Sequence, residues 1–216
     1  MLKRLVLPQL YVILDAALLT VPETECAQKL ADAGVRLLQY RNKSASSREL
    51  FESSRRLSSQ LVPQGVSFLV NDRADVASVV DATGVHVGLE DLSAEDARQV
   101  IGTEKWVGVS THNLEQFERA AATSADYIAV GPVFCTSTKT KPDPVVGIDF
   151  IRRVRALSIR PIVAIGGITL DRAAEVIRAG ADSVAVASDI LRAPDPGRRA
   201  RQYIELLEAA NHAAAV

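Results

Sequence analysis

Short apolar runs recur along the chain at 10–14, 37–40, 67–70, 85–87, 106–110, 127–130, 162–165 and 183–186. They are built mainly of Val, Ile, Leu and Ala and are bounded by polar or turn-forming residues, as expected of strands covered on both faces. Between them, the segments 23–33, 47–61, 114–123, 149–157, 170–179 and 197–210 carry apolar residues at three- and four-residue spacing, which predicts amphipathic helices. A strand–helix unit roughly every 20 to 30 residues is the period of a parallel sheet with crossover helices. Repeated around eight strands, it predicts closure into a single (β/α)8 TIM barrel, one α/β domain over residues 1–216. An open doubly wound sheet shares the alternation, but the first strand is followed by Asp15-Ala16-Ala17, without the glycine fingerprint of that fold.

Local signals mark several boundaries. Gly34 and Gly180 each follow a helical run and precede a strand, where a left-handed closing residue is needed. Ser93 with Asp96 resembles a capping box, and Thr169 offers a hydroxyl cap to the helix behind it. The Ala-rich tail from about 209 is expected to fray.

Composition narrows the function classes. Hydrophobic residues make up 48% of the chain and aromatics 5%, which suits a core of small aliphatic side chains and argues against disorder. A formal net charge of −1 supplies no global field for nucleic acid or an anionic membrane, so neither is expected as a partner, and anionic ligands must be met by local cations. Residues 5–20 are apolar, but Pro8, Gln9 and Asp15 interrupt them and no membrane-length run follows. Cys26 and Cys135 stand far apart with no metal-like spacing, so a reducing cytoplasm is the expected location.

In a barrel, the loops after the strands build the catalytic face, so the residues closing each run carry the chemistry. After strand two, Gln39, Arg41 and Lys43 alternate, which places an amide and two cations on one side if the strand continues. That set suits a diphosphate, although a solvated strand end has the same look. Asp72 and Asp91 follow strands three and four, where their carboxylates could share one hard cation such as Mg2+ or serve as helix caps. Ser110, Thr111, His112 and Asn113 close strand five, His112 reading as a positioning residue. After strand six a Gly-Pro turn leads into Thr136, Thr138, Lys139 and Lys141, a donor-rich loop. Gly166-Gly167 and Ala187-Ser188 close strands seven and eight, where barrels commonly hold a phosphate, the glycine pair being equally readable as a tight turn.

Taken in order, the stretches QYRNK at 39–43, NDRADVA at 71–77, GVHVGLEDL at 84–92, GVSTHN at 108–113, DYIAVGPVFCTSTK at 126–139 and VAIGGI at 163–168 resemble the thiamine phosphate synthase family over nearly the whole chain. The resemblance implies a transferase joining a pyrimidine diphosphate to a thiazole phosphate, with Mg2+ as cofactor. It implies that Gln39, Arg41, Lys43, Asn71, Ser110 and Lys139 contact the pyrimidine diphosphate and that Asp72 and Asp91 hold the metal. Thr136, Thr138, Gly167, Ala187 and Ser188 would receive the thiazole phosphate. Arg41, Lys43, Ser110 and Lys139 would carry the catalytic role. Leu89 stands where the family usually has glutamine, and Cys135 where proline is common.

The implied substitution is dissociative: diphosphate leaves, and the thiazole nitrogen, which brings no proton, needs no general base. A TenI-like thiazole tautomerase would share the fold but would need a proton-transfer residue, His112 being the first candidate. A noncatalytic phosphate-binding barrel would have no use for the acidic and basic half-site around Arg41, Asp72, Asp91 and Lys139. Self-association into a homo-oligomer stays open.

Overall fold

The computed structural model describes residues 5–136 and 143–214. Eight parallel strands close into a barrel in sequence order, the first pairing with both the second and the eighth. The strands are β1 (Leu10–Asp15), β2 (Leu37–Arg41), β3 (Ser67–Asn71), β4 (Gly84–Val87), β5 (Trp106–Thr111), β6 (Tyr127–Val130), β7 (Ile162–Ile165) and β8 (Ser183–Val186). All eight predicted runs are strands. The helices are α1 (Glu23–Asp32), α2 (Ser47–Leu61), α3 (Ala74–Val79), α4 (Ala94–Ile101), α5 (Leu114–Ala121), α6 (Ile148–Leu157), α7 (Leu170–Arg178), α8 (Ser188–Leu191) and α9 (Pro196–Ala214).

Helices α3 and α8 span fewer than two turns, too short for a 3.6-residue period to show in the sequence. Ser93 accepts a bond from the Asp96 amide as a cap, but the Asp96 carboxylate takes the Ser93 hydroxyl and not its backbone amide, so the expected capping box is formed only in its first half. Thr169 makes no side-chain cap; its hydroxyl donates instead to Asp171 Oδ1 at 2.6 Å. Gly34 and Gly180 close α1 and α7 at positive φ. Helix α9 runs to Ala214, past the start of the segment expected to fray, because alanine is the strongest helix former.

Two apolar layers hold the fold. Alternate strand residues such as Val12, Leu14, Leu38, Phe68, Val85 and Ile128 face outward and pack under the helices. The others fill the barrel axis, among them Tyr11, Ile13, Leu37, Leu69, Tyr127, Ala129, Val163 and Ala185. Two strand glycines make this inner packing feasible. A Cβ on Gly84 would lie 2.3 Å from the Trp106 carbonyl oxygen, and one on Gly108 would lie 2.0 Å from Cζ of Tyr127. The missing side chain of Gly108 is thus the space its ladder neighbour Tyr127 occupies. Gly108→Ala should drive the phenol ring off its place at a cost of about 1–3 kcal/mol. Thermal denaturation should show a melting point lowered by several degrees, and an unchanged midpoint would mean that the ring has room to move.

Candidate active site

Each strand delivers its last inward residue to the carboxyl-terminal mouth of the barrel. There a cleft of about 820 Å³, counting the part open to solvent, is lined by Arg41, Ser110, Thr136, Gly167, Ala187 and Ser188 from the predicted set. Space on this scale accommodates a small organic ligand. The same cleft is walled by Ile13, Ile165, Ile168 and Val186 and joined by His112, Asp15 and Asp143. Thr138 and Lys139 lie outside the described residues.

Arg41 ends β2 directly across from Asp15, which ends β1. Its Nη1 donates to Asp15 Oδ2 at 2.5 Å, and the other carboxylate oxygen accepts from the Ala17 amide. Asp15 is 2% exposed, so the pair fixes the guanidinium at the cleft wall through a carboxylate with nowhere else to turn. The sequence reading passed over this residue. Its position at a strand end carried the same signal that marked Asp72.

Gln39 lies one step deeper on the same face of β2, buried, with its Nε2 donating to the Tyr11 hydroxyl at 2.6 Å. The predicted alternation of Gln39 and Arg41 holds because both belong to β2, but the strand stops at Arg41 and Lys43 follows in the loop. Lys43 instead pairs its ammonium with Asp72 of the next loop.

Asp72 takes positive φ, 63°, where a non-glycine residue is uncommon. Its amide donates to the His86 carbonyl at 2.8 Å, so β4 holds the kink in place. It is not a helix cap: the cap position of α3 is Arg73, and Asp75 in the first turn pairs with Arg73 at the surface. The turn after β4 supplies Asp91, whose Oδ2 accepts from the Gly88 amide at 2.8 Å. Asp72 and Asp91 come side by side. Partial burial raises the Asp72 carboxyl above the usual aspartate range, the Lys43 ammonium pulls it back, and neighbouring Asp91 pushes it up again. Asn71, the last residue of β3, is the ladder partner of His86.

These residues fit magnesium by the chemistry of their donors. Two adjacent carboxylates, with an ammonium already drawn to one of them, form a site in need of positive charge. Among the described residues there is no group of three or more His, Cys, Asp or Glu arranged to hold a metal. A two-carboxylate site suits an ion that keeps several waters and takes substrate phosphate oxygens as its remaining ligands.

On the opposite wall the glycine pair answers two demands at once. Gly166 and Gly167 both take positive φ, 100° and 63°. A Cβ on Gly166 would sit 2.5 Å from Cβ of Pro132, and one on Gly167 would sit 2.3 Å from the Cys135 carbonyl oxygen. The close approach that excludes side chains here is therefore to the chain's own segment after β6, a requirement separate from any anion. Ala187 and Ser188 open α8, whose first-turn amides are the groups a phosphate at that end would meet. From behind, the buried Tyr203 of α9 donates to Asp189 at 2.8 Å and holds that turn down.

His112 is held by its Nδ1, 2.6 Å from the Gly131 carbonyl, so that nitrogen carries the proton; Nε2 lies 3.4 Å from Asp143. Leu89 is 51% exposed on the turn between Gly88 and Asp91. One buried polar group escaped the sequence reading altogether: His86, inside β4, bonds to Ser110 on one side and Tyr127 on the other. Its only signal was a polar residue in the middle of an apolar run.

The family described as thiamine monophosphate synthase matches residues 10–190. A thiamine-phosphate synthase of Koribacter versatilis is 50% identical over 208 residues, covering 93% of this chain and 96% of the relative. That of Chloroflexus aurantiacus is 43% identical over 200 residues, with 92% of each chain covered. Among solved structures, a thiamine phosphate pyrophosphorylase from Pyrococcus furiosus superposes with a TM-score of 0.85 at 34% identity, covering 94% of this chain and 96% of its own.

Proposed function

The chain belongs to the thiamine monophosphate synthase family, and from that premise we propose how its barrel mouth carries out thiamine phosphate synthesis. The reaction joins 4-amino-2-methyl-5-hydroxymethylpyrimidine diphosphate to thiazole phosphate and releases diphosphate. The observation that carries the assignment of halves is the meeting of Asp72, Asp91 and Lys43 in the loops after β2, β3 and β4, on the far side of the ring of strands from the loops after β7 and β8 that bring Gly167 and Ser188 to the cleft. With Mg2+ held between the two carboxylates, the first group would suit the diphosphate, and the amides that open the Ala187–Ser188 turn would suit the thiazole phosphate.

The bond to break joins the exocyclic methylene carbon to a diphosphate oxygen. As it lengthens, negative charge grows on the leaving group, and Arg41 and Lys43 are cations held nearby by carboxylate partners. Asp72 and Asp91 would hold Mg2+, which when bound supplies further positive charge to the diphosphate. The aminopyrimidine ring delocalises the methylene cation left behind. The thiazole nitrogen then donates its electron pair to that carbon, forming the C–N bond with no proton to remove. The apolar wall of Ile13, Ile165 and Ile168 limits water at the cation, and Thr136 with the Ala187–Ser188 turn would place the thiazole phosphate so that the nitrogen faces the methylene. His112, its Nδ1 committed to a backbone carbonyl, positions the loop after β6.

The direct test is to incubate the purified protein with both substrates and magnesium and to follow thiamine phosphate and diphosphate. Equal yields of the two are expected, with little turnover in chelator. Full turnover in chelator would remove the metal from this scheme. Leu89 gives a second check. Its side chain is half in solvent on the turn that carries Asp91, so an amide there would form at most an exposed hydrogen bond. Leu89→Gln should change kcat/KM by less than about tenfold, the worth of one such bond. A larger gain would make the departure at this position the main limit on pyrimidine recognition.

A further inference from the structure

Five polar side chains form an unbroken hydrogen-bonded line through the barrel interior, drawn from five different strands. Gln39 Nε2 donates to the Tyr11 hydroxyl at 2.6 Å, and Tyr11 lies 3.0 Å from the Tyr127 hydroxyl. Tyr127 lies 2.9 Å from Nδ1 of His86, whose Nε2 lies 2.8 Å from Oγ of Ser110. Ser110 lines the cleft, whereas Tyr11 and Tyr127 are fully enclosed, and the His86 ring stacks on that of Tyr127 at 5.6 Å. Burial pushes both phenols well above the usual tyrosine range, so each keeps its proton and has one hydrogen to give.

We propose that this line has a fixed direction, set by the Gln39 amide, and that it makes His86 a positioning residue that presents Ser110 to the bound pyrimidine diphosphate as a hydrogen-bond donor. An amide NH2 can only donate, so Tyr11 accepts at its oxygen and passes its own hydrogen to Tyr127. Tyr127 passes its hydrogen to Nδ1 of His86. The imidazole, bare at Nδ1, carries its proton at Nε2 and donates it to Ser110 Oγ. Ser110 therefore has its hydrogen left to direct into the cleft, toward an acceptor atom of the ligand. In the opposite direction Tyr11 would accept from both neighbours and have to place its hydrogen elsewhere in the interior, and Ser110 would spend its hydrogen on His86. The functional half of this proposal rests on the assignment of the pyrimidine diphosphate to this side of the mouth; the direction of the line does not.

The direction is read from the imidazole. A long-range proton–nitrogen correlation spectrum of the full-length protein, labelled with nitrogen-15 at histidine, should show His86 neutral with the proton at Nε2. In Gln39→Glu, measured at about pH 9 so that the carboxylate is ionised, the head of the line can only accept, every bond reverses, and the proton should move to Nδ1. A wild-type proton at Nδ1, or the same tautomer in both proteins, overturns the proposal. A binding measurement then separates positioning from packing. His86→Gln, whose amide can accept from Tyr127 and donate to Ser110, should bind pyrimidine diphosphate within about threefold of the wild type, while His86→Phe should bind about tenfold more weakly. Equal binding by the two variants overturns the role of Ser110 as donor while leaving the tautomer result to stand or fall alone.

Discussion

Asp91→Asn is expected to cut kcat/KM by about 100-fold or more while leaving the melting temperature where it was. The substitution keeps an oxygen that can accept from the Gly88 amide, so the turn that shapes this corner retains its anchor. What it removes is one of two adjacent carboxylates, and with it, on the proposed assignment, half of the protein's contribution to a bound cation. The remaining carboxylate, Asp72, is already engaged by Lys43. Loss of a single electrostatic element of a charge-stabilising site commonly costs about 10²–10³ in turnover. Steady-state rates across a magnesium titration read the effect: higher magnesium should recover part of the activity in the variant, because affinity is what has been lost. Wild-type rates at low magnesium would reduce Asp91 to a turn anchor.

Arg41→Ala should be nearly as damaging, and it should damage two properties separately. Turnover is expected to fall about 10²–10³-fold, since on the proposed assignment a fixed cation beside the departing diphosphate disappears. Stability should fall by about 3 kcal/mol, because Asp15, 2% exposed, is left with an uncompensated charge. Adding Asp15→Asn to the same chain removes that charge. Chemical denaturation of the double variant should return most of the lost stability while its kcat stays low. If the second substitution restores rate as well, Arg41 served the fold and not the leaving group.

The strands were legible because each is a run of aliphatic residues covered on both faces, a pattern that needs no knowledge of its neighbours. Arg41, Ser110 and Ser188 were legible for a related reason: strand-end position alone delivers a residue to the mouth. The line from Gln39 to Ser110 was not. It exists only because the inward residues of β1, β2, β4, β5 and β6 meet across the axis, and because Gly108 leaves room for the Tyr127 ring. No single run records such a meeting. The pairing of Asp15 with Arg41 depends likewise on register between two strands. The glycine pair was recognised by position, but the loop that crowds it, Pro132–Cys135, is distant in sequence and gave no sign of the contact. Thr169 makes no cap although its hydroxyl donates to Asp171 much as that of the capping Ser93 donates to Asp96, so the local sequence does not separate the two.

The pairing of β1 with β8 places a constraint on how the chain reaches this shape. Val12 meets Val186 across that seam, so one hydrogen-bonding edge of the first strand has no partner until nearly the whole barrel has been synthesised. During that interval the leading strand presents an open edge, a template for pairing with other chains. Segments that must wait for partners so far along the polypeptide also fold slowly, since the loop to be closed is long. The seam that makes the finished ring edge-free is therefore its point of greatest exposure in the nascent chain, where a chaperone shielding β1 would have most to protect.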